Sequence, residues 1–147
     1  MLYFITMKTV LNPHFIRTII THSSKETDIV AAYLFGSYAY GKPTNTSDID
    51  LGFLCLSKQS VPIVAFSSNV SRALPEKEVD VVIADLTDKP LLLTEIIKGK
   101  LIYEKSADER ILLETRIRKL NEDYTHLMRI KAYYLNKSFT EGIYAVK

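Results

Sequence analysis

The sequence predicts an α/β domain in which a mixed β-sheet is flanked by helices and followed by a helical C-terminal extension. Apolar runs of strand length alternate with segments of helical periodicity over the first two-thirds of the chain. A loop of ten residues, 38–47, joins two of these runs and favours antiparallel pairing between them. The last third contains no glycine and no proline between Ala107 and Lys137, which is typical of one long helix or of two consecutive ones. Together these patterns favour helices packed on a mixed sheet.

Each predicted element has its own local signal. Asn12 can cap the first helix, and Pro13 suits the first helical position. The strands are apolar runs bounded by glycine or polar loops, whereas a central segment places Ile63, Phe66 and Val70 at helical spacing. In chain order we expect a helix over residues 12–24, strands over 28–35 and 48–56, a helix over 61–74, a strand over 79–86, a helix over 90–98, a short strand over 101–103 and a helical region over 107–137.

The C-terminal region carries an apolar stripe whose members are spaced by four and three residues in turn: Leu113, Ile117, Leu120, Tyr124 and Leu127. We expect this stripe to pack on the rest of the chain, as apolar stripes of helices do. The chain then divides into a domain over residues 1–105 and a helical extension over 106–147 that packs on it. The remaining surface of the extension, with Tyr133 and Tyr134, is a candidate face for a partner or for self-association.

Composition excludes several classes of protein. The chain has 147 residues, of which 47% are apolar and 24% charged, as in globular proteins. The net charge of +2 excludes a polyelectrolyte, and acidic and basic residues are mixed in the C-terminal region, so we expect no direct nucleic-acid binding. A single cysteine fits a reducing compartment. We find neither a membrane span nor a basic leader, and we therefore expect a cytoplasmic protein.

Two aspartates at the second predicted strand are the first chemical signal. Asp48 and Asp50 are two residues apart, so in a strand they project from the same face. Two carboxylates on one face repel each other unless a cation lies between them, and Mg²⁺ favours carboxylates together with substrate phosphates. A pair of metal ions commonly serves phosphoryl and nucleotidyl transfer. We therefore predict a metal site at Asp48 and Asp50.

Gly36 and Ser37 are the second signal, because they lie where a buried strand turns into the start of a helix. Glycine allows a ligand to approach the backbone closely. Exposed N–H groups and the Ser37 hydroxyl can bind phosphate oxygens at the positive end of a helix. We predict that this turn binds a polyphosphate.

A third carboxylate would complete the metal site or act as a base. Asp80, at the start of the third strand, is the first candidate. Asp85 is the competitor, although its position in the strand pattern puts it on the opposite face from Asp80.

The whole constellation, Gly36-Ser37 followed after ten residues by Asp48-x-Asp50, resembles the signature of the DNA polymerase β-like nucleotidyltransferase superfamily. Its context, AAYLFGSYAYGKPTNTSDIDLGF, resembles the minimal nucleotidyltransferases, or MNT proteins, over roughly residues 12–103. Within these, the size and the helical tail are similar to the MntA antitoxins, which are partners of HEPN-domain ribonuclease toxins.

The resemblance implies a function and roles for residues. Such antitoxins transfer AMP from ATP, with Mg²⁺, to a tyrosine of the toxin and thereby silence it. Carried over by motif, Gly36 and Ser37 would hold the triphosphate, while Asp48, Asp50 and Asp80 would be catalytic and would bind the metal ions, two of which are expected. Asp80 would also help to deprotonate the tyrosine. The implied partners are ATP and a HEPN-domain toxin, in a possible hetero-oligomer.

Three other functions stay open at this stage. The chain could transfer nucleotides to a small molecule or an RNA end. It could neutralise a partner by occlusion, without catalysis. It could also be a structural α/β domain whose carboxylates only decorate a surface.

Overall fold

The computed structural model describes residues 11–142. The outer ends of the two predicted units, residues 1–10 and 143–147, lie outside the described residues, and the division at residue 105 stays a prediction. The elements in chain order are α1 (Pro13–Lys25), β1 (Ile29–Phe35), α2 (Gly36–Ala39), β2 (Ile49–Cys55), a 3-10 turn (Lys58–Ser60), α3 (Ile63–Arg72), β3 (Val79–Ala84), α4 (Pro90–Ile97), β4 (Lys100–Glu104) and α5 (Ala107–Thr140).

The predicted start of the first helix is confirmed. The Asn12 side chain precedes α1 and its Oδ1 accepts a hydrogen bond of 2.9 Å from the His14 N–H, which satisfies one of the free amides of the first turn. Pro13 occupies the first helical position, where its missing N–H costs no hydrogen bond. The cap and the proline together fix where α1 begins.

The four strands form one mixed sheet in the order β3-β2-β1-β4. β1 pairs antiparallel with both β2 and β4, whereas β2 pairs parallel with β3. The predicted mixed sheet and the antiparallel pairing across the ten-residue loop are therefore confirmed. Because of these directions, the starts of β2 and β3 meet the end of β1 at one end of the sheet.

Helices cover both faces of the sheet. Helices α1 and α3 cover one face, where Phe53 meets Phe66 edge-on at 4.8 Å between ring centroids. Helix α4 and the start of α5 cover the other face, where Leu93, Ile96 and Ile117 are fully buried. Each such side chain contributes roughly 1.5–3 kcal/mol on burial, so both layers hold the sheet in place.

Gly52 in β2 permits the close approach of α4. A Cβ atom at this position would lie 2.6 Å from Cγ2 of Ile96. A side chain there would therefore push the helix away from the sheet. Gly52 follows Asp50 by two residues and lies on the same face of the strand. Helix α4 therefore covers this face of β2 immediately next to the Asp50 carboxylate.

Helix α5 is one helix of 34 residues, about 51 Å long at 1.5 Å per residue. Ser106 caps it, because its Oγ accepts a hydrogen bond from the Glu109 N–H. In its first half Leu113 and Ile117 are buried, but Leu127 is 58% exposed. The apolar stripe predicted from the sequence therefore does not pack along its full length, because the sheet that covers it ends before the helix does.

A buried polar network ties the first half of α5 to the sheet. The Tyr33 hydroxyl donates a 2.6 Å hydrogen bond to Oε1 of Glu114, and Arg110 donates to the same oxygen at 2.9 Å. Arg118 donates to the other oxygen at 2.9 Å, and Arg110 also pairs with Glu104 of β4. Burial acts to raise the pKa of Glu114, but the three donors outweigh it and lower that pKa. The carboxylate is thus held ionised and joins β1, β4 and α5.

Among the helices of residues 11–142, none combines the length and the apolar character that a bilayer crossing requires.

Candidate active site

The candidate residues meet at the end of the sheet where β2 and β3 begin and β1 ends. Asp50 of β2 is the register partner of Phe35, the last residue of β1. On the other side of β2, Asp50 is the direct partner of Asp80 in β3. Partners in register share a face of the sheet, so the structure brings these two carboxylates together. Asp80 was the first candidate for the third carboxylate in the sequence, and its position depends on the parallel register.

Asp48 lies one residue before β2, which begins at Ile49. The predicted strand start at residue 48 is therefore wrong by one position. The Ile49 N–H donates a 3.0 Å hydrogen bond to the Glu78 carbonyl, and the regular pairing with β3 begins only there. Asp48 is exposed, whereas Asp50 is partly buried. The two carboxylates that the sequence treats alike thus stand in different surroundings.

Gly36 contacts the second aspartate directly. Its backbone has φ +68°, in the left-handed region that favours glycine. A Cβ atom at Gly36 would overlap Oδ2 of Asp50, and it would lie 2.9 Å from the Cγ of that residue. Gly36 and the Asp50 carboxylate are therefore packed directly against each other, with no room for a side chain between them.

The electrostatics of the cluster are unfavourable in the free protein. Partial burial raises the pKa of Asp50, and the negative charges of Asp80 and Asp48 raise it further. Asp50 therefore lies within electrostatic reach of both Asp80 and Asp48, and a positive group at this end of the sheet would relieve the repulsion on Asp50.

Ser37 lies in α2, which consists of only one turn of helix. The predicted helix dipole is therefore small, since the macrodipole of a helix grows with aligned peptides. A phosphate at this turn would therefore be held by individual N–H groups and the Ser37 hydroxyl. The next residue, Tyr38, is 7% exposed and anchors the turn in the core.

Lys77 is a basic residue beside Tyr38 that the sequence pattern does not single out. Its Nζ lies 5.6 Å from the ring centroid of Tyr38. It precedes Asp80 by three residues, in the segment whose Glu78 carbonyl binds β2. Lys77 thus places a positive charge over the ring of Tyr38, the residue that follows Ser37. Its place depends on tertiary packing, so no local sequence signal could have found it.

Asp85 is not part of the cluster. It follows β3 at the opposite end from Asp80, and it accepts 2.9 Å hydrogen bonds from the N–H groups of Lys58 and Thr87. Burial acts to raise its pKa, but the Thr87 hydroxyl and these two N–H groups outweigh it and lower that pKa. The carboxylate is engaged in holding the turn after β3.

Cys55 lies in the core, at the far end of β2. Burial, followed by the charge of Asp85, raises the pKa of its thiol to about 12. A thiol of this kind is not a nucleophile at neutral pH.

The donor set fits Mg²⁺ in its chemistry. Mg²⁺ prefers oxygen ligands and commonly uses one or two carboxylates together with substrate phosphates, and Asp48 and Asp50 offer such oxygens. Within residues 11–142, no group of three His, Cys, Asp or Glu side chains is already arranged to hold a metal ion. A metal ion held by Asp48 and Asp50 would therefore need further oxygen ligands, and substrate phosphates are one source of them.

Comparisons with known proteins bear on both the fold and the site. A family model described as polymerase beta nucleotidyltransferase matches residues 17–108, which include every candidate residue. No curated protein matches the chain.

Solved structures share the fold. A mutant of the toxin–antitoxin MntA–HpeT matches with a TM-score of 0.60 and 23% identity, over 88% of this chain and 99% of that one. A toxin–antitoxin with AMP-PNP matches with a TM-score of 0.59 and 23% identity, over 84% and 98%. A complex of the tri-AMPylated HEPN toxin of Shewanella oneidensis with MNT antitoxin matches with a TM-score of 0.55 and 21% identity, over 85% and 96%.

Proposed function

Because the chain belongs to the polymerase beta nucleotidyltransferase family, we propose that it transfers AMP from ATP to a tyrosine of a HEPN-domain toxin and acts as its antitoxin. The observation that carries the proposal is the single site formed by Gly36, Asp50 and Asp80. Two of the structures that share the fold support the choice of substrates, since one is with AMP-PNP and the other contains an AMPylated HEPN toxin.

In the proposed reaction, a tyrosine oxygen of the toxin attacks the α-phosphorus of ATP. The bond between that phosphorus and the bridging oxygen to the β-phosphate breaks, and pyrophosphate leaves. The tyrosine loses its proton, and the toxin gains one AMP group for each ATP consumed. Little covalent chemistry is required of the protein, so positioning and charge carry most of the catalysis.

Gly36 and Ser37 would hold the triphosphate in this reaction. The glycine has no side chain, so phosphate oxygens can reach the backbone N–H groups next to the carboxylates. The Ser37 hydroxyl can donate one further hydrogen bond to a phosphate oxygen.

Asp48, Asp50 and Asp80 would hold Mg²⁺, of which we propose two ions. Bound Mg²⁺ would neutralise phosphate charge and lower the pKa of the acceptor hydroxyl. Asp80 is exposed on β3, the edge strand of the sheet, so a protein acceptor can approach it from outside. We propose that Asp80 also accepts the proton of the attacking tyrosine.

The test is a mass spectrum of the HEPN-domain protein encoded beside this chain, after incubation with the chain, ATP and Mg²⁺. We expect a gain of one or more AMP units on a tyrosine. The double variant Asp48→Ala/Asp50→Ala should lose this gain by at least about 10³-fold, since it removes the charges that stabilise the transition state. Asp108→Asn is the matched control, because Asp108 is an exposed carboxylate in the first turn of α5, at the other end of β4.

Other outcomes separate the alternatives. ATP turnover without a mass gain on the toxin keeps a nucleotidyltransferase and replaces the acceptor by a small molecule or an RNA end. A tight complex that silences the toxin without turnover, and that survives Asp48→Ala/Asp50→Ala, contradicts catalysis and favours occlusion.

A further inference from the structure

The second half of α5 presents an exposed face that the proposed catalysis does not use. We call it the distal face of α5, and it comprises Lys119, Asp123, His126, Leu127, Ile130, Tyr133, Tyr134, Lys137 and Glu141. Every one of these residues is exposed. They are spaced at three, four, seven and eleven residues on either side of Ile130, which places them along one side of the helix.

The centre of the distal face is apolar. Leu127 is 58% exposed, Ile130 41%, Tyr133 62% and Tyr134 61%. A shallow groove of about 460 Å³ runs here, and the described residues that line it all belong to α5: His126, Arg129, Ile130, Tyr133 and Tyr134. Water-exposed apolar side chains in such a cluster mark an interaction surface, since scattered ones are ordinary but a contiguous patch is not.

The charges of the distal face are arranged in reverse order about Ile130. Asp123 lies seven residues before Ile130, and Lys137 lies seven residues after it. Lys119 lies eleven residues before, and Glu141 eleven residues after. The order along the helix is thus basic, acidic, apolar, basic, acidic. A surface with this order is complementary to itself when it is turned end over end.

We propose that the distal faces of two copies of this chain pair antiparallel about Ile130. In this pairing Ile130 meets Ile130 of the second copy, and Leu127 meets Tyr133. Asp123 meets Lys137, and Lys119 meets Glu141. A parallel pairing would instead place each of these charges opposite its own copy, which is repulsive. The inference goes beyond the proposed function and does not depend on it.

The charges set the direction of the pair, and the apolar centre supplies most of its stability. Exposed ion pairs contribute about 0–1 kcal/mol each, so four of them do not hold a dimer alone. Within one chain, Lys137 already lies 3.8 Å from Glu141, in a half-exposed pair that is weak enough to exchange partners. The contact is one helix wide, at the small end of specific interfaces, and we therefore expect a dissociation constant in the micromolar range.

Sedimentation equilibrium of the full chain, from low micromolar to high micromolar concentration, tests the proposal. The wild type should move from the monomer mass of 16.8 kDa to twice that mass. Asp123→Lys should weaken the dimer by at least about tenfold, because the new lysine of each copy then faces Lys137 of the other copy. Lys137→Asp should weaken it by as much, because the new aspartate of each copy then faces Asp123 of the other copy. All substitutions lie on an exposed helix surface, and circular dichroism checks that the variants fold.

Mixing the two variants is the decisive measurement. In the mixed pair the introduced lysine meets the introduced aspartate, and the unchanged Lys137 of one copy meets the unchanged Asp123 of the other. The mixture should therefore regain the wild-type dissociation constant within about threefold. Lys131→Asp is the matched control: it makes the same charge change as Lys137→Asp but lies six residues away, about 120° around the helix, and should leave the dimer unchanged.

Four results overturn the proposal. The first is a wild type that stays at 16.8 kDa at every concentration. The second is a mixture that does not regain the dimer, and the third is a Lys131→Asp variant that dimerises as weakly as Lys137→Asp. The fourth is a monomer whose complex with a HEPN-domain toxin is weakened by Asp123→Lys, which would assign the distal face to that partner.

Discussion

At the scale of single residues, Gly36 and Gly41 separate the strain of a left-handed backbone from the steric clash of an added side chain. Both have a positive φ, +68° and +67°, but only Gly36 has an atom of the site where a Cβ would stand. Gly41 has nothing within 4 Å of that position. The pair thus offers a backbone-strain control inside one chain.

We expect Gly41→Ala to cost about 1 kcal/mol, the ordinary penalty of a left-handed backbone. Gly36→Ala should cost more, because the added methyl group also displaces the Asp50 carboxylate, and it should lower nucleotide transfer at least about tenfold. Thermal unfolding and the transfer assay measure the two effects. Equal activity in both variants would contradict the contact between Gly36 and the site.

Asp50 should make the free protein less stable at neutral pH than in acid. Its pKa is raised in the folded state by burial and by Asp80 and Asp48, so the folded chain holds the proton more tightly than the unfolded chain. Its favourable contribution is complete below the unfolded pKa and is lost as the pH rises through the folded pKa. Asp50→Asn should therefore stabilise the free protein at pH 7, by about 1 kcal/mol at most, or about 2–4 °C in Tm.

The same substitution should abolish transfer, so stability and activity are expected to move in opposite directions. Asp85→Asn is the control, because that carboxylate accepts hydrogen bonds from Lys58 and Thr87 and its pKa is lowered. It should destabilise the protein. If Asp50→Asn also destabilises it, the repulsion within the cluster is not significant.

At the scale of elements, Glu114 joins the long helix to the sheet. Its pKa is lowered because hydrogen bonds from Tyr33, Arg110 and Arg118 outweigh the opposing effect of burial. Its contribution to stability is therefore present above its unfolded pKa and is lost as the pH falls through the lower folded pKa. Glu114→Gln should cost about 1.5–3 kcal/mol at pH 7, since it weakens charged hydrogen bonds in a buried place.

Urea unfolding at several pH values checks this effect, and the difference between the variant and the wild type should shrink in acid. Glu109→Gln is the control in the same helix. Glu109 pairs with Lys105 at 3.4 Å, but its side chain is 42% exposed, so its loss should cost less than about 0.5 kcal/mol. A difference for Glu114→Gln that persists unchanged in acid would contradict the role of its charge.

The elements show what sequence reasoning can and cannot reach. Strand and helix positions follow from local apolar patterns. Each strand and helix predicted from the sequence lies within two residues of its observed bounds, except that α5 extends three residues beyond Lys137, and the 3-10 turn Lys58–Ser60 was not predicted. The contact of Gly52 with Ile96 leaves no trace in the sequence, because it joins two elements that are far apart in the chain. The role of Glu114 cannot be predicted from the sequence either, because there it is one of many charged residues on a helix that carries both signs of charge.

At the scale of the whole molecule, the candidate site depends on three strands at once. The sequence puts Gly36, Asp48 and Asp50 within fifteen residues, which is why a family resemblance can be recognised there. Asp80 comes close only through the parallel register of β2 and β3. The sequence also could not show how far α5 extends beyond the sheet, since the spacing of apolar residues does not reveal which other element packs on them.

ATP with Mg²⁺ should stabilise the whole molecule, because only the folded chain forms the site that binds them and Mg²⁺ offsets the repulsion between the carboxylates. At a hundred times the dissociation constant the gain is about 2.7 kcal/mol, or roughly 5–10 °C in Tm. Thermal unfolding with and without ATP and Mg²⁺ measures this gain in stability. The variant Asp48→Asn/Asp50→Asn should lose the shift, and an unchanged shift in that variant would place nucleotide binding elsewhere.

The buried Cys55 has a practical consequence for studying motion. Its thiol lies in the core at the end of β2 away from the site, and its pKa is raised to about 12. A thiol-specific reagent can reach it only when that part of the sheet opens. The rate of labelling therefore measures how often the central strand β2 unfolds locally. The sequence thus contains its own probe of local unfolding.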